Sequence, residues 1–219
     1  MCFTLKVSIY ALIFNIIFCA SLYFYSYSIK NQQLKIISLF FLYVGVMQFW
    51  DIIFWTNKPN TKINQYSTKM AMIWNHFEPI ILYLLIIFIL GKTDNISHLT
   101  IIIYSILMFS YSLYNWNNVK STGIYYRNDT KNSLFWEWNY MEGSIYFYTV
   151  FLITLLVLVF QNMTGWVKNL SLFFIIFTFF FSLYKYKIDK SVGRFWCYFA
   201  SYGPLIFLIF NYMINHVSR

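Results

Sequence analysis

Two carboxylates stand inside apolar stretches that follow each other along the chain. Asp51 lies in the run MQFWDIIFW, three residues after Gln48, and Glu78 lies in NHFEPIILYLL, three residues after Asn75. Residues three apart share one face of a helix. A charged group among apolar neighbours is costly unless it is paired or hydrogen-bonded. Such a pair of carboxylates could share a proton, bind a cation or hydrogen-bond a polar ligand.

Further groups of interest lie beside these carboxylates. His76 stands between Asn75 and Glu78, and Pro79 follows directly. Proline lacks an N–H, so Pro79 is predicted to kink the helix and to free a carbonyl one turn earlier. Pro204, after Gly203, is predicted to mark a second kink. The candidate ion, proton or ligand site consists of Gln48, Asp51, Asn75, His76 and Glu78.

The composition indicates where these residues lie. The chain has 219 residues, of which 60% are hydrophobic and 11% charged, and its mean hydropathy is +0.57. A soluble domain is about a quarter charged. The chain is therefore predicted to be an integral membrane protein whose carboxylates face the bundle interior, because a carboxylate facing lipid is costly. Sequence alone indicates no cofactor and leaves any metal undetermined.

Seven apolar segments are long enough, or nearly so, to cross a bilayer, which takes roughly 20 residues each. They predict an all-α polytopic bundle of about seven helices in a single domain, residues 1–219. The segments EPIILYLLIIF and GPLIFLIFNYM both place a proline before an apolar run, so a weak parallel 3+1+3 repeat is geometrically allowed. The predicted spans are 7–29, 36–55, 71–90, 99–113, 144–160, 170–184 and 195–213.

The basic residues predict the orientation of the bundle. The chain carries a net charge of +9, and the loops on one side hold eleven of its 16 Lys and Arg residues. By the positive-inside rule the N-terminus is predicted to be cytoplasmic and the C-terminus to lie on the opposite side. The basic loops are expected to meet anionic lipid headgroups rather than nucleic acid. A homo-oligomer is compatible with this composition.

The depth of the candidate site follows from the predicted spans. The second and third spans are joined by one loop, so their near ends lie on the same side. Asp51, Asn75, His76 and Glu78 are therefore expected at comparable depth near the basic face. The competing interpretation is that Asp51 and Glu78 pair with lysines of that loop and only fasten two helices together.

Several known chemistries are excluded by the residues. The last span contains no lysine, which a retinal Schiff base would need there. The chain has three histidines, too few for a zinc hydrolase of the ceramidase type that uses several within the membrane. No G-x-S-x-G, H-E-x-x-H or P-loop motif is present.

The region from MQFWDIIFW through the polar loop to NHFEPIILYLL resembles a region shared by multi-pass membrane proteins of large DNA viruses that infect algae and amoebae. The resemblance covers about a fifth of the chain. It rests on Gln48, Asp51, Trp55, Asn75 and Pro79, whereas Glu78 replaces an expected glutamine. It implies a seven-helix membrane protein and no particular activity.

Three functional hypotheses remain. The first is a small transporter or channel-like protein, which predicts a water-accessible cavity at Asp51 and Glu78. The second is a non-catalytic structural or interaction protein of a viral or host membrane, which predicts a closed bundle whose carboxylates are satisfied by neighbours. The third, an intramembrane enzyme, has the least support because no complete catalytic set exists. A metal bound by Asp51, His76 and Glu78 would revive it.

Overall fold

The computed structural model describes residues 4–125, 133–186 and 193–217, and most of this chain is α-helical. A two-stranded hairpin and a short 3₁₀ turn lie between the sixth and seventh helices. The helices are α1 (Leu5–Ser28), α2 (Gln32–Gly45), α3 (Met47–Thr56), α4 (Lys62–His76), α5 (Glu78–Leu90), α6 (Asn95–Trp116), α7 (Ser144–Asn162), α8 (Gly165–Tyr186) and α9 (Gly193–Val217).

Polar residues just outside the apolar runs begin several of these helices. The side chains of Thr4, Asn31 and Thr61 each accept a hydrogen bond from a first-turn backbone N–H of the helix that follows. Asp94 accepts two at α6, from the amides of Ile96 and Ser97. These caps satisfy donors that have no partner within the helix. At the other end of α5, Gly91 takes the left-handed conformation (φ 70°) that commonly closes a helix.

The long helices match most of the predicted spans. Within the described residues, six candidate spans are long and apolar enough to cross a membrane, and α2 with α3 counts as one of them. The short helices α4 and α5 pass the same test only as a pair, which is bent by 47° at Phe77. The six candidate spans are Leu5–Ser28, Gln32–Thr56, Asn95–Trp116, Ser144–Asn162, Gly165–Ser182 and Trp196–Asn215.

The core lies around the α2–α3 span. In its apolar window 56% of the residues are buried, against 28% in α1 and in α6. α2 packs against α1, α5 and α9. The buried ring of Phe41 contacts Phe174 of α8 and Phe207 of α9, with centroids 5.2 and 6.0 Å apart. A Cβ on Gly203 would lie 2.8 Å from the same ring, so α9 approaches α2 closely at a glycine.

Two helix interruptions face each other inside the bundle. The first, at Val46, separates α2 from α3, and it follows Gly45, against which Asn15 of α1 is packed. The second, at Phe77, separates α4 from α5 two residues before Pro79. Tyr43 of α2 stacks on Trp74 of α4, so the last turns before the two interruptions are in contact. The predicted kink at Pro79 thus corresponds to an observed break, whereas α9 continues through Pro204 without interruption.

The connection between α6 and α7 folds back onto α4. Strand β1 (Gly123–Tyr125) pairs antiparallel with β2 (Ser133–Phe135), and a 3₁₀ turn follows at Glu137–Tyr140. The Thr122 amide donates to Asn64 Oδ1 (2.9 Å) and Thr68 Oγ1 (2.8 Å), and Asn64 Nδ2 donates to the Thr122 carbonyl (3.0 Å). The polar face of α4 therefore points inward and is satisfied by the backbone of this connection.

Hydrogen bonds between loops define two ends of the bundle. At one end, the Ser121 hydroxyl donates to Asn60 Oδ1 (3.0 Å), beside the contact of Thr122 with α4. At the other end, the Thr93 hydroxyl donates to Asn162 Oδ1 (3.1 Å). Gln33 Nε2 donates to the Thr164 hydroxyl (2.8 Å) at that second end. The α4–α5 pair therefore begins at the first end of the bundle and finishes at the second.

Candidate functional site

Glu78 stands at the start of α5, directly after the break at Phe77, and it is fully buried. Its Oε2 accepts a hydrogen bond from the indole Nε1 of Trp196 on α9 (2.8 Å). Its Oε1 accepts one from Nδ2 of Asn75, at the end of α4 (3.1 Å). Both donors are neutral, so among the described residues no cation pairs with this carboxyl group.

A chain of hydrogen bonds continues from Asn75 to two more helices. The Tyr148 hydroxyl on α7 donates to Asn75 Oδ1 (3.3 Å) and lies 3.5 Å from His76 Nε2. His76 Nδ1 lies 3.1 Å from the Ser112 hydroxyl on α6. The network therefore joins α4, α5, α6, α7 and α9. Donation runs from Tyr148 through Asn75 towards Glu78.

His76 occupies an aromatic environment within this network. Its side chain is fully buried, and its ring centroid lies 4.4 Å from that of Phe147 and 5.6 Å from that of Tyr111. The hydroxyl of Tyr104 donates to the His76 backbone carbonyl (2.6 Å). This bond satisfies a carbonyl at the end of α4, where helix ends leave acceptors without intrahelical partners.

The amide of Asn75 limits what the network can do with protons. Asn75 uses Nδ2 towards Glu78 and Oδ1 towards Tyr148, so it stands between the carboxyl group and His76. A side-chain amide offers N–H donors and a carbonyl acceptor but keeps its own protons. The arrangement can hold a proton or a polar ligand at Glu78. It does not form a continuous proton path from Glu78 to His76.

The other pair of predicted site residues approaches the same part of α9. Gln48 Nε2 on α3 donates to the backbone carbonyl of Cys197 (3.1 Å), next to Trp196. Asp51, one turn further along α3, is also fully buried. Gln48 and Glu78 therefore lie at the same level along α9. The structure brings Asn75, His76 and Glu78 into one network and places Gln48 beside it through α9.

The helix that carries Asn75 and His76 begins earlier than the sequence predicted. The third span was predicted to start at residue 71, which would put His76 and Glu78 near the basic face. The helix instead begins at Lys62, and the break at Phe77 falls near the middle of the α4–α5 pair. The polar residues at the start of α4 lower its hydropathy, although they are buried against the backbone of the α6–α7 connection.

A metal site at these residues is not supported. In the ranges 4–125, 133–186 and 193–217, no three His, Cys, Asp or Glu side chains form a group that could hold a metal ion. Asp51, His76 and Glu78 thus do not make the metal cluster that would have revived the enzyme hypothesis.

Three residues of the network were missed at the level of sequence. Trp196, Tyr148 and Ser112 lie far from Glu78 along the chain, and their spacing gives no local signal. Trp196 did not stand out either, because an indole at the start of an apolar segment is usually assigned to the membrane interface. Here its N–H is buried and used by Glu78.

The fold and the buried polar network together define the class of protein. With six candidate membrane-spanning helices in the part of the chain that the structure describes, the protein is a multi-pass integral membrane protein. No protein-family model, curated protein or solved structure matches it.

Proposed function

We propose that this protein is a small proton-coupled transporter in which Glu78 is the group that binds the proton. The observation that carries the proposal is the position of Glu78, fully buried at a helix break and hydrogen-bonded by two neutral donors. Ionisable residues inside a membrane protein are expensive and commonly serve ion or proton pathways.

The helix breaks support a binding site at this level. In many secondary transporters, interrupted helices form the site near the middle of the membrane, where helix ends present unpaired backbone groups. Here the breaks at Val46 and Phe77 lie in neighbouring helices, and Glu78 opens the helix after the second break. An ionised carboxylate is costly in a closed site without a cation. In the proposal, Glu78 therefore holds its proton while the site is closed and releases it when water enters.

The topology belongs to the same proposal. We infer seven crossings, with α4 and α5 as one bent span, because the loop hydrogen bonds tie residue 60 to residue 121 at one end and residue 93 to residue 162 at the other. The N-terminus is cytoplasmic and the C-terminus lies on the opposite side. A 3+1+3 repeat remains a prediction. The two prolines are placed differently, because Pro79 lies at the start of α5 and Pro204 lies inside α9.

A structural or interaction protein is the second candidate. The observation that favours it is that both oxygens of Glu78 are satisfied by neighbours, as expected for helices that are only fastened together. The resemblance to viral membrane proteins is compatible with this candidate. The two candidates differ in whether water ever reaches the network.

Access of a thiol reagent to the network separates the candidates. On a background with Cys2, Cys19 and Cys197 replaced, Ser112→Cys places a thiol beside His76, and Ser171→Cys places one on α8 outside the network. The two serines are similarly buried, at 7% and 5% exposed. A transporter predicts that a membrane-impermeant methanethiosulfonate labels the Ser112→Cys variant from one side of membrane vesicles but leaves the Ser171→Cys variant unlabelled.

Proton coupling gives the second part of the experiment. Ser28→Cys supplies a reference labelling rate, because Ser28 is exposed. We expect the labelling rate of the Ser112→Cys thiol, divided by this reference rate, to increase as the pH rises from about 6 to about 8. Glu78→Gln should remove this dependence while leaving the folded protein intact. Equally slow labelling of the Ser112→Cys and Ser171→Cys variants at every pH would reject the transporter and favour the structural candidate.

A further inference from the structure

The outer face of α4 is more apolar than its inner face. Asn64, Ser67 and Thr68 are buried, whereas Ile63 and Tyr66 are 59% and 65% exposed. The same side continues at spacings of three and four residues through Met70 and Ile73 to Phe77, just after the helix, and these three side chains are half-buried. A helix facing water shows the opposite arrangement. The outer side of α4 therefore faces lipid.

Two contacts mark the line along which α4 and α6 pack side by side, and the outer surface along this line is called the α4–α6 crevice below. The ring of Phe77 meets that of Phe109 edge-on, with centroids 6.1 Å apart. Eight residues earlier on α4, Lys69 Nζ lies 4.8 Å from the ring centroid of Trp116. The two helices thus run antiparallel over roughly 12 Å, at 1.5 Å per residue. Phe109 and Leu113 line the α6 side and are 53% and 73% exposed.

The mouth of this crevice is positively charged. Lys69 is held over Trp116, and Lys58, Lys62 and Lys120 are exposed at the same end of the bundle. Glu137 is also there, but its Oε2 already accepts hydrogen bonds from the amides of Lys120 and Ser121. Glu142, at the start of α7, is the other exposed carboxylate at this end of the described chain. The lysines outnumber these two acids, which favours an anionic ligand.

We propose that the α4–α6 crevice binds one anionic phospholipid. The headgroup phosphate contacts Lys69, and the indole of Trp116 lies at the level of the headgroup, as interfacial tryptophans do. One acyl chain runs along Ile73, Phe77, Phe109 and Leu113. This site does not depend on the proposed transport function. It does place a lipid chain against Phe77, the residue that joins His76 to Glu78.

Lipid binding to the delipidated protein in detergent tests the proposal. Native mass spectrometry would compare palmitoyl-oleoyl phosphatidylglycerol with the phosphatidylcholine of the same chains. We expect phosphatidylglycerol to bind more tightly and Lys69→Gln to weaken it about fivefold, the effect of one lysine at an anionic surface. Lys69→Arg, which keeps the charge, should bind as the wild type does.

The chain offers a matched control at its other end. Lys168 Nζ lies 5.0 Å from the ring centroid of Phe160, so Lys168→Gln removes a similar lysine–aromatic contact away from the crevice. It should leave phosphatidylglycerol binding unchanged. Equal affinity for the two lipids, or equal weakening by Lys69→Gln and Lys168→Gln, would overturn the site. Displacement of the lipid by millimolar inorganic phosphate would also overturn it, because the site would then bind a free anion.

Discussion

Tyr43 and Trp74 each donate a hydrogen bond to the backbone carbonyl of the other. The Tyr43 hydroxyl reaches the Trp74 carbonyl at 2.9 Å, and the Trp74 indole reaches the Tyr43 carbonyl at 3.0 Å. Their rings are stacked, with centroids 4.4 Å apart and planes 12° apart. The pair connects α2 and α4 just before each helix is interrupted.

Tyr43→Phe and Trp74→Phe should each destabilise the protein by about 1 kcal/mol, because each removes one buried side-chain hydrogen bond to a backbone carbonyl. The loss in free energy of unfolding of the double variant should differ from the sum of the two single losses, since residues in direct contact are energetically coupled. Unfolding in mixed micelles, followed by circular dichroism, measures all three. Tyr66→Phe, at a side chain that is 65% exposed, is the control and should change stability little.

Trp196→Phe should destabilise the protein by about 1–3 kcal/mol, because Glu78 Oε2 would be buried without a donor. Trp166→Phe is the matched control, since Trp166 packs on Phe207 and Phe210 and makes no contact with Glu78. The same unfolding assay compares the two. An equal loss at both positions would mean that the Trp196 indole contributes through packing alone.

Gly45→Ala should destabilise the protein by about 1–3 kcal/mol through overpacking. A Cβ at this position would lie 2.1 Å from Asn15 Oδ1. Gly→Ala in a helix normally stabilises by up to about 1 kcal/mol, so the clash reverses the expected sign. The midpoint of unfolding measures the change.

Two variants check that explanation. Gly123→Ala should be tolerated, because no heavy atom lies within 4 Å of its added Cβ. In an Asn15→Ala background, Gly45→Ala should lower the free energy of unfolding by little more than Asn15→Ala alone, since the clashing side chain is absent. A full loss in that background would contradict the contact with Asn15.

The Asp94 cap should make stability depend on pH in acid. Desolvation raises the pKa of this carboxyl, but hydrogen bonds from the Ser97 hydroxyl and from the amides of Ser97 and Ile96 outweigh it, so the pKa lies below the usual 3.8. A group whose pKa is depressed on folding stabilises the protein above its unfolded pKa, and this is lost as the pH falls through the folded value. Asp94→Asn keeps a good cap without the charge. The difference in melting temperature between wild type and Asp94→Asn should therefore shrink below about pH 4.

Apolar segments were sufficient to predict most of the fold. All seven predicted segments lie largely within observed helices, because a lipid-facing helix must be apolar along its whole length. The third was placed too late, at residue 71 instead of Lys62. The reason is that Asn64 and Thr68 are polar but buried, and the groups that satisfy them lie in a distant part of the chain.

The candidate site was only half predictable for the same reason. The i, i+3 spacing of Asn75 and Glu78 predicted a shared face, and the two side chains are hydrogen-bonded. No comparable spacing leads from Glu78 to Trp196, which is 118 residues away. Helix neighbours within one segment can be derived from helical geometry, whereas contacts between helices depend on how the whole bundle packs.

The contact of α4 with the α6–α7 connection has a consequence for biosynthesis. Asn64 and Thr68 reach Thr122 across 58 and 54 residues of chain. While the ribosome is still synthesising α6, the partners of these side chains do not yet exist. The buried polar side chains of α4 can therefore acquire these hydrogen bonds only after residue 122 has been synthesised.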